Sequence, residues 1–142
     1  MKKIQFEKQG IKIVSPDDCG NAPKKRILKE LIIAFAVKDF PFLYEVTSEN
    51  IYWDIVNMRT IQGQEEMISL IENSMPSKIT EIEILTIITH GKTAALNGIV
   101  KFNEDRIYSF CNVYNFVSAG KNKIKDITTY VINTRGSRKI DT

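Results

Sequence analysis

The run from Asn50 to Gly63, Asn-Ile-Tyr-Trp-Asp-Ile-Val-Asn-Met-Arg-Thr-Ile-Gln-Gly, followed by Gln64-Glu-Glu-Met-Ile-Ser-Leu-Ile71, limits the fold more than any other stretch of this chain. It reads as a short strand carrying Trp53 and Asp54, then a loop, a glycine and an amphipathic helix. Helical sequence precedes it and long β-rich segments follow it. That order predicts an α+β plan in which one strongly curved antiparallel sheet wraps around N-terminal helices, with an acid on a strand facing the cavity between them.

The helical part comes first. Residues 24–37 place Ile27, Leu28, Leu31, Ile32 and Phe35 at three- and four-residue spacings, which put them on one face. Residues 39–46 form a second, short helix, with Asp39 capping the free amides of its first turn and Pro41 tolerated there. Residues 51–56 are the short strand. Gly63 opens a third helix with Met67, Leu70 and Ile71 as its apolar face, and Pro76 stops it. Residues 79–89 alternate only in part: Ile82 and Ile84, then Ile87 and Ile88. Return strands over 93–102, 106–116 and 123–132 are separated by turns at His90-Gly91-Lys92, Asn103-Glu104-Asp105 and residues 118–122. Before all of this, Ile4 to Phe6 and Ile11 to Val14 are short edge-strand candidates, and residues 15–23 are loop chemistry. The expected organisation is an extension over 1–22, one domain over 23–133 and a tail over 134–142.

At 142 residues, one domain can bury a core without metal or disulfide staples. The formal charge of +3 is mild and the lysines are interspersed with glutamates, so neither nucleic acid nor a membrane is an expected partner. The basic clusters, Lys24-Lys25-Arg26 and residues 135–139, read as solvated surface. Cys19 and Cys111 lack metal-site spacing, and a lone histidine, His90, in a turn suits neither a metal site nor catalysis. No cofactor is expected. The absence of a signal segment and of a disulfide framework points to the cytoplasm.

Strand parity puts Phe110, Asn112, Tyr114 and Phe116 on one face, and Ile127, Thr129 and Val131 on the corresponding face of the last strand. Asn112 stands out, because a buried amide must find partners, and either a ligand or backbone would serve. Asp54 is the sharpest candidate acid or base. A carboxylate in an apolar pocket has its pKa raised and can act near neutral pH, whereas an exposed strand-end carboxylate would merely bond a loop amide.

The order of these elements, from Lys38-Asp39-Phe40 through Ile51-Tyr52-Trp53-Asp54 and Ile61-Gln62-Gly63 to Asp126-Ile127-Thr128-Thr129-Tyr130, resembles the nuclear transport factor 2-like superfamily. That group includes ketosteroid isomerase and the SnoaL-like polyketide cyclases. The resemblance covers about 23–133 and implies a cone-shaped, cystatin-like fold with a deep, mostly apolar pocket, often dimerised through the outer face of the sheet. In the isomerase, the general-base aspartate precedes the helix-opening glycine by nine residues, the spacing of Asp54 and Gly63. Its donor aspartate falls at Asn112, which can still donate an N–H, and its donor tyrosine falls near Leu31, which cannot. The resemblance implies Asp54 and Asn112 as catalytic residues and Trp53, Phe35, Phe110, Tyr114, Ile127 and Thr129 as the ligand-binding lining. It implies a homodimer that takes a small apolar or carbonyl-containing molecule. The activity would be a cofactor-independent isomerase, dehydratase or cyclase; the alternatives are a noncatalytic apolar-ligand carrier and a protein-interaction module.

Overall fold

The computed structural model describes residues 3–17, 22–73, 78–103 and 106–134. Cys19, Pro76, residues 135–139 and part of the turn at 103–105 lie outside them. The described elements run β1 (Lys3–Lys8), β2 (Ile11–Pro16), α1 (Pro23–Val37), α2 (Phe40–Val46), β3 (Thr47–Ile55), β4 (Arg59–Gln62), α3 (Gln64–Asn73), β5 (Ile79–His90), β6 (Thr93–Phe102), β7 (Arg106–Phe116) and β8 (Ile124–Asn133). The strands form one eight-stranded sheet in the order β1-β2-β5-β6-β7-β8-β3-β4. It is curved and unclosed, and the helices cover its inner face. The four long strands β5 to β8 pair antiparallel, as their tight turns require. Two joins are parallel, β2 with β5 and β3 with β8, so the sheet is mixed.

The broken alternation of β5 has a structural cause. Its register against β6 shifts between Ile84 and Thr86. The extra residue changes the phase of the strand, so Ile82 and Ile84 before it and Ile87 after it are all buried. Gly98 of β6 lies opposite this bulge. A Cβ there would run into the Glu83 carbonyl oxygen and come within 3.1 Å of the Phe110 ring. The sheet bends where its backbones approach this closely.

Two expectations need correction. The stretch between the short strand and Gly63 is not simply loop, because β4 pairs antiparallel with β3 through Ile55–Arg59 and Tyr52–Gln62. The apolar face of α3 is Met67, Ile68 and Ile71, with Leu70 only half-buried. At the start of α3, Gly63 takes φ +95°, a conformation closed to most side chains, and its N–H donates to Ile51 O at 2.7 Å. Asp39 caps α2 as expected, accepting from the Phe42 N–H at 3.3 Å.

Lys24 is not simple solvated surface. Its Nζ donates to Ala119 O, Lys121 O and Asn122 Oδ1 at 2.9, 3.0 and 3.1 Å. It also stands 4.5 Å from the centroid of the buried Phe116 ring. One cation therefore ties the first turn of α1 to the β7–β8 connection. Lys24→Met keeps the stem and removes the charge, leaving two loop carbonyls without this donor. It is expected to cost about 2 kcal/mol and lower Tm by roughly 6 °C, read by thermal unfolding. An unchanged Tm would show the contact to be surface decoration.

Candidate functional site

Inner-face burial falls off along the sheet in one direction. On β8 it runs from Ile124 (0% exposed) through Ile127 (1%) and Thr129 (8%) to Val131 (43%). On the antiparallel β7, Phe116 and Tyr114 are sealed, Asn112 is 5% exposed and Phe110 is half-buried. The interior therefore opens towards Phe110 and Val131. At that end Phe35 of α1 stacks on Trp53 of β3, with ring centroids 5.4 Å apart and planes at 20°. Trp53 sits beside Ile127 of β8 and Ile61 of β4, both buried, so it faces inward.

Beneath this stack lies a polar network. The Trp53 indole Nε1–H donates to Thr129 Oγ1 at 2.9 Å. The Thr129 hydroxyl donates to Asn112 Oδ1 at 2.7 Å. The Asn112 amide Nδ2 donates to the Tyr114 hydroxyl oxygen at 2.9 Å. Strand pairing explains the convergence, since Asn112 is the direct cross-strand partner of Thr129, and Tyr114 that of Ile127. Burial pushes the Tyr114 hydroxyl well above its ordinary pKa of 10, and the Asn112 hydrogen bond only partly offsets this. Tyr114 is thus a neutral phenol throughout the physiological range.

The arrangement brings together Asn112, Tyr114, Thr129, Trp53 and Phe35, with Ile127 packed beside them. Phe110 flanks the open end, its ring against Gly98. Asp54 is not among them. Successive strand residues point to opposite faces, so with Trp53 inward, Asp54 faces out. Its cross-strand neighbours are Thr60 and Thr128, neither of them buried, and the adjacent outward residue Tyr52 is 43% exposed. The bulge of β3 falls between Thr47 and Tyr52, before this point, and does not reverse the parity. The expectation that Asp54 faces the cavity is therefore corrected: Trp53 holds the inward place. Leu31, near which the resemblance put the isomerase's donor tyrosine, is fully buried. His90 is exposed at the end of β5.

The buried polar residues among those described are Ser15, Thr47, Asn112 and Thr129, so no described carboxylate, imidazole or cation is buried. No group of three or more His, Cys, Asp or Glu among the described residues is placed to hold a metal ion. What the residue-by-residue reading missed is the linkage: Trp53, Tyr114 and Thr129 were named as lining and Asn112 as catalytic, but the direct bond from Trp53 to Thr129 was not foreseen. Thr129 and Trp53 are 76 residues apart, and only the parallel β3–β8 join brings them together.

A separate groove of about 490 Å³ crosses the outer face of the long strands, with Asn97 and Cys111 in its floor and Ile88, Tyr130 and Ile132 exposed along its sides. No helix is long and apolar enough to cross a membrane, among the described residues.

No protein-family model matches this chain, and no curated protein matches its sequence. Solved structures do match in fold. A proposed ketosteroid isomerase from Kribbella flavida aligns with a TM-score of 0.68 at 8% identity, over 84% of this chain and 82% of its own. A nuclear transport factor 2-like protein of unknown function from Burkholderia xenovorans aligns at 0.67 and 19% identity, over 82% and 88%. A proposed SnoaL-like polyketide cyclase from Shewanella denitrificans aligns at 0.66 and 10% identity, over 79% and 92%. At these identities the likeness establishes the nuclear transport factor 2-like fold and leaves activity open.

Proposed function

We propose that this chain, which has the nuclear transport factor 2-like fold, binds a small, mostly apolar molecule at the open end of its sheet. Phe35, Trp53 and Phe110 form the walls, and the Asn112–Thr129 pair lies at the base. The observation that carries the reading is a network of hydrogen-bond donors set in an otherwise apolar interior and still in touch with the surface at Asn112 and Thr129. Sites for small molecules combine an apolar lining with a few convergent polar groups. Solved neighbours named for a ketosteroid isomerase and a polyketide cyclase agree with a small-molecule partner.

Turnover as an isomerase, dehydratase or cyclase, with Asp54 as base and Asn112 steadying an oxyanion, is the second reading. It is supported by the nine-residue spacing of Asp54 and Gly63. Proton abstraction requires the base within hydrogen-bond reach of the substrate, and the outward parity of Asp54 favours binding over turnover. The test is a thermal-shift screen of small carbonyl compounds, sterol-like rings and fatty acids on wild type and Asp54→Asn side by side. A ligand at 100 times its Kd adds about 2.7 kcal/mol to stability by mass action. The expected result is a hit that raises Tm equally in both proteins, with the ligand-free Tm of the variant within about 1 °C of wild type. A hit whose effect disappears in the variant would restore Asp54 to the site. Silence across the whole screen would sink the binding reading.

The groove on the outer face supports a homodimer as the partner state. Large apolar residues on β5 and β8 flank small or polar ones on β6 and β7, a shape that a second copy can interdigitate with.

A further inference from the structure

Two strands end the sheet, β4 and β1, and their free edges differ. β4 has four residues, and its Gln62 N–H is already held by the Glu66 carboxylate at 2.9 Å. β1 has six, and its outward backbone groups have no partner among the described residues. The hairpin decides which groups those are. Gln9 and Gly10 make a two-residue turn with φ of 49° and 83°, and Lys8 pairs with Ile11 across it. The pair flanking such a turn exchanges both backbone hydrogen bonds, and bonded pairs alternate along an antiparallel ladder. Ile4, Phe6 and Lys8 therefore bond to β2, while Lys3, Gln5 and Glu7 turn their N–H and C=O to the open edge. Side chains sort by the same parity. Phe6 lies opposite the buried Ile13, so Ile4, Phe6 and Lys8 face inward and Lys3, Gln5 and Glu7 outward.

This edge is complementary to itself. With two copies of β1 antiparallel about a two-fold axis at Gln5, Lys3 comes opposite the partner's Glu7, Ile4 opposite the partner's Phe6, and Gln5 opposite the partner's Gln5. Every residue whose backbone groups point outward then falls in a hydrogen-bonded pair, and opposite charges meet twice. The two Gln5 amides can bond each other, since each carries donors and an acceptor. A shift of two residues either way sets a charge against glutamine instead, and a shift of one breaks the backbone parity. We propose that β1 is a homotypic docking edge, at which a second copy of this chain adds in that one register and continues the sheet across two subunits. Lys3 Nζ already bonds Glu83 Oε2 at 2.9 Å, but its side chain is 41% exposed and its three protons can serve a second carboxylate. On the inner side a groove of about 560 Å³ separates β1 from the helices, with Phe6, Ile33, Val37 and Phe42 in its lining. Phe6 is 37% exposed there, and the partner's Ile4 would cover it. A foreign extended segment would gain the same backbone bonds but would need both charges at the same four-residue spacing, which a second copy carries by construction. The edge lies apart from the outer-face groove, so the inference does not depend on a dimer formed there.

Assembly of the full chain is read by sedimentation equilibrium across a concentration series, with circular dichroism to follow the fold. Wild type is expected to associate reversibly. Gln5→Pro removes an outward N–H and no bond to β2, so it is expected to weaken association roughly tenfold with an unchanged spectrum. Glu7→Lys and Lys3→Glu each set like charges opposite each other twice, and each is expected to weaken association by about the same factor. Mixed in equal amounts, these two variants regain a Lys–Glu pair at both places and are expected to associate with each other about as tightly as wild type does. If the outer face also holds a dimer, the single variants halve the particle from four copies to two. A wild type that is monomeric at every concentration would overturn the proposal. So would an assembly that none of the three variants weakens, which would place the contact on the outer face. Two charge variants that each fail to associate and still fail when mixed would overturn the register.

Discussion

Gly98→Val is expected to be among the most destabilising single substitutions in this chain, costing roughly 3 kcal/mol or more, a large part of the 5–15 kcal/mol that holds a typical domain. Gly98 sits between Ile84 of β5 and Phe110 of β7, opposite the β5 bulge. The first atom of any side chain would meet the Glu83 carbonyl, which is backbone within a paired strand and cannot rotate away. Relief requires the two strands to separate at the bend, and the bend is what curves the sheet over α1. Gly98→Ala isolates the cost of the Cβ alone, and the further loss in Gly98→Val measures the cost of branching. Adding Phe110→Leu should recover only part of the loss, because it removes the ring contact and leaves the carbonyl. Urea unfolding midpoints of the four proteins decide the matter. A Gly98→Ala protein as stable as wild type would show that the close approach is not needed.

The fold was largely legible because its signals are local. Glycine and asparagine turns separate the long strands, Asp39 caps a helix that begins with a proline in its first turn, and the 3.6-residue spacing from Leu28 to Phe35 marks one helix face. What was not legible depends on pairing between distant segments. The imperfect alternation of residues 79–89 was visible, but its meaning, a phase change at a bulge, appears only once Ile84 and Thr86 are set against Gly98 and Asn97. Arg59–Gln62 has too few residues to reveal itself as a strand before β3 is beside it. Lys24 looks like any surface lysine until the β7–β8 connection closes around its ammonium group. The candidate site divides in the same way. Parity alone put Asn112 and Tyr114 on one face of their strand and Thr129 on the corresponding face of the last. Asp54 was nominated by spacing to Gly63, and a spacing of nine residues says nothing of which face a strand residue takes. A single-residue offset in that alignment is enough to exchange an inward tryptophan for an outward carboxylate.

Tyr114→Ala is expected to cost about 4 kcal/mol, while Tyr114→Phe costs about 1 kcal/mol, and the gap separates two contributions of one side chain. The alanine variant removes a fully buried ring and leaves a cavity between β6, β7 and β8, where Ala94 and Ile127 flank it across the sheet. The phenylalanine variant keeps the ring and deletes only the oxygen that Asn112 donates to. The two proteins should also differ from wild type in alkaline solution in a way that packing alone does not produce. Tyr114 has its pKa raised from 10 by burial, so below about pH 10 the hydroxyl is protonated in folded and unfolded chains alike and pH has no effect through it. Above that, the unfolded chain releases the proton and the folded chain keeps it. The unfolded state then binds fewer protons, and stability falls as pH rises. Between pH 9 and 11 wild type should therefore lose more stability than Tyr114→Phe, which has no such proton to release. The absorbance of ionised tyrosine at alkaline pH checks the same point, since the native titrations of the two proteins should superimpose until unfolding begins. An equal loss of stability in both, with a titration step missing from the variant while still folded, would show that the Tyr114 hydroxyl reaches water and that the interior network is not sealed at that end.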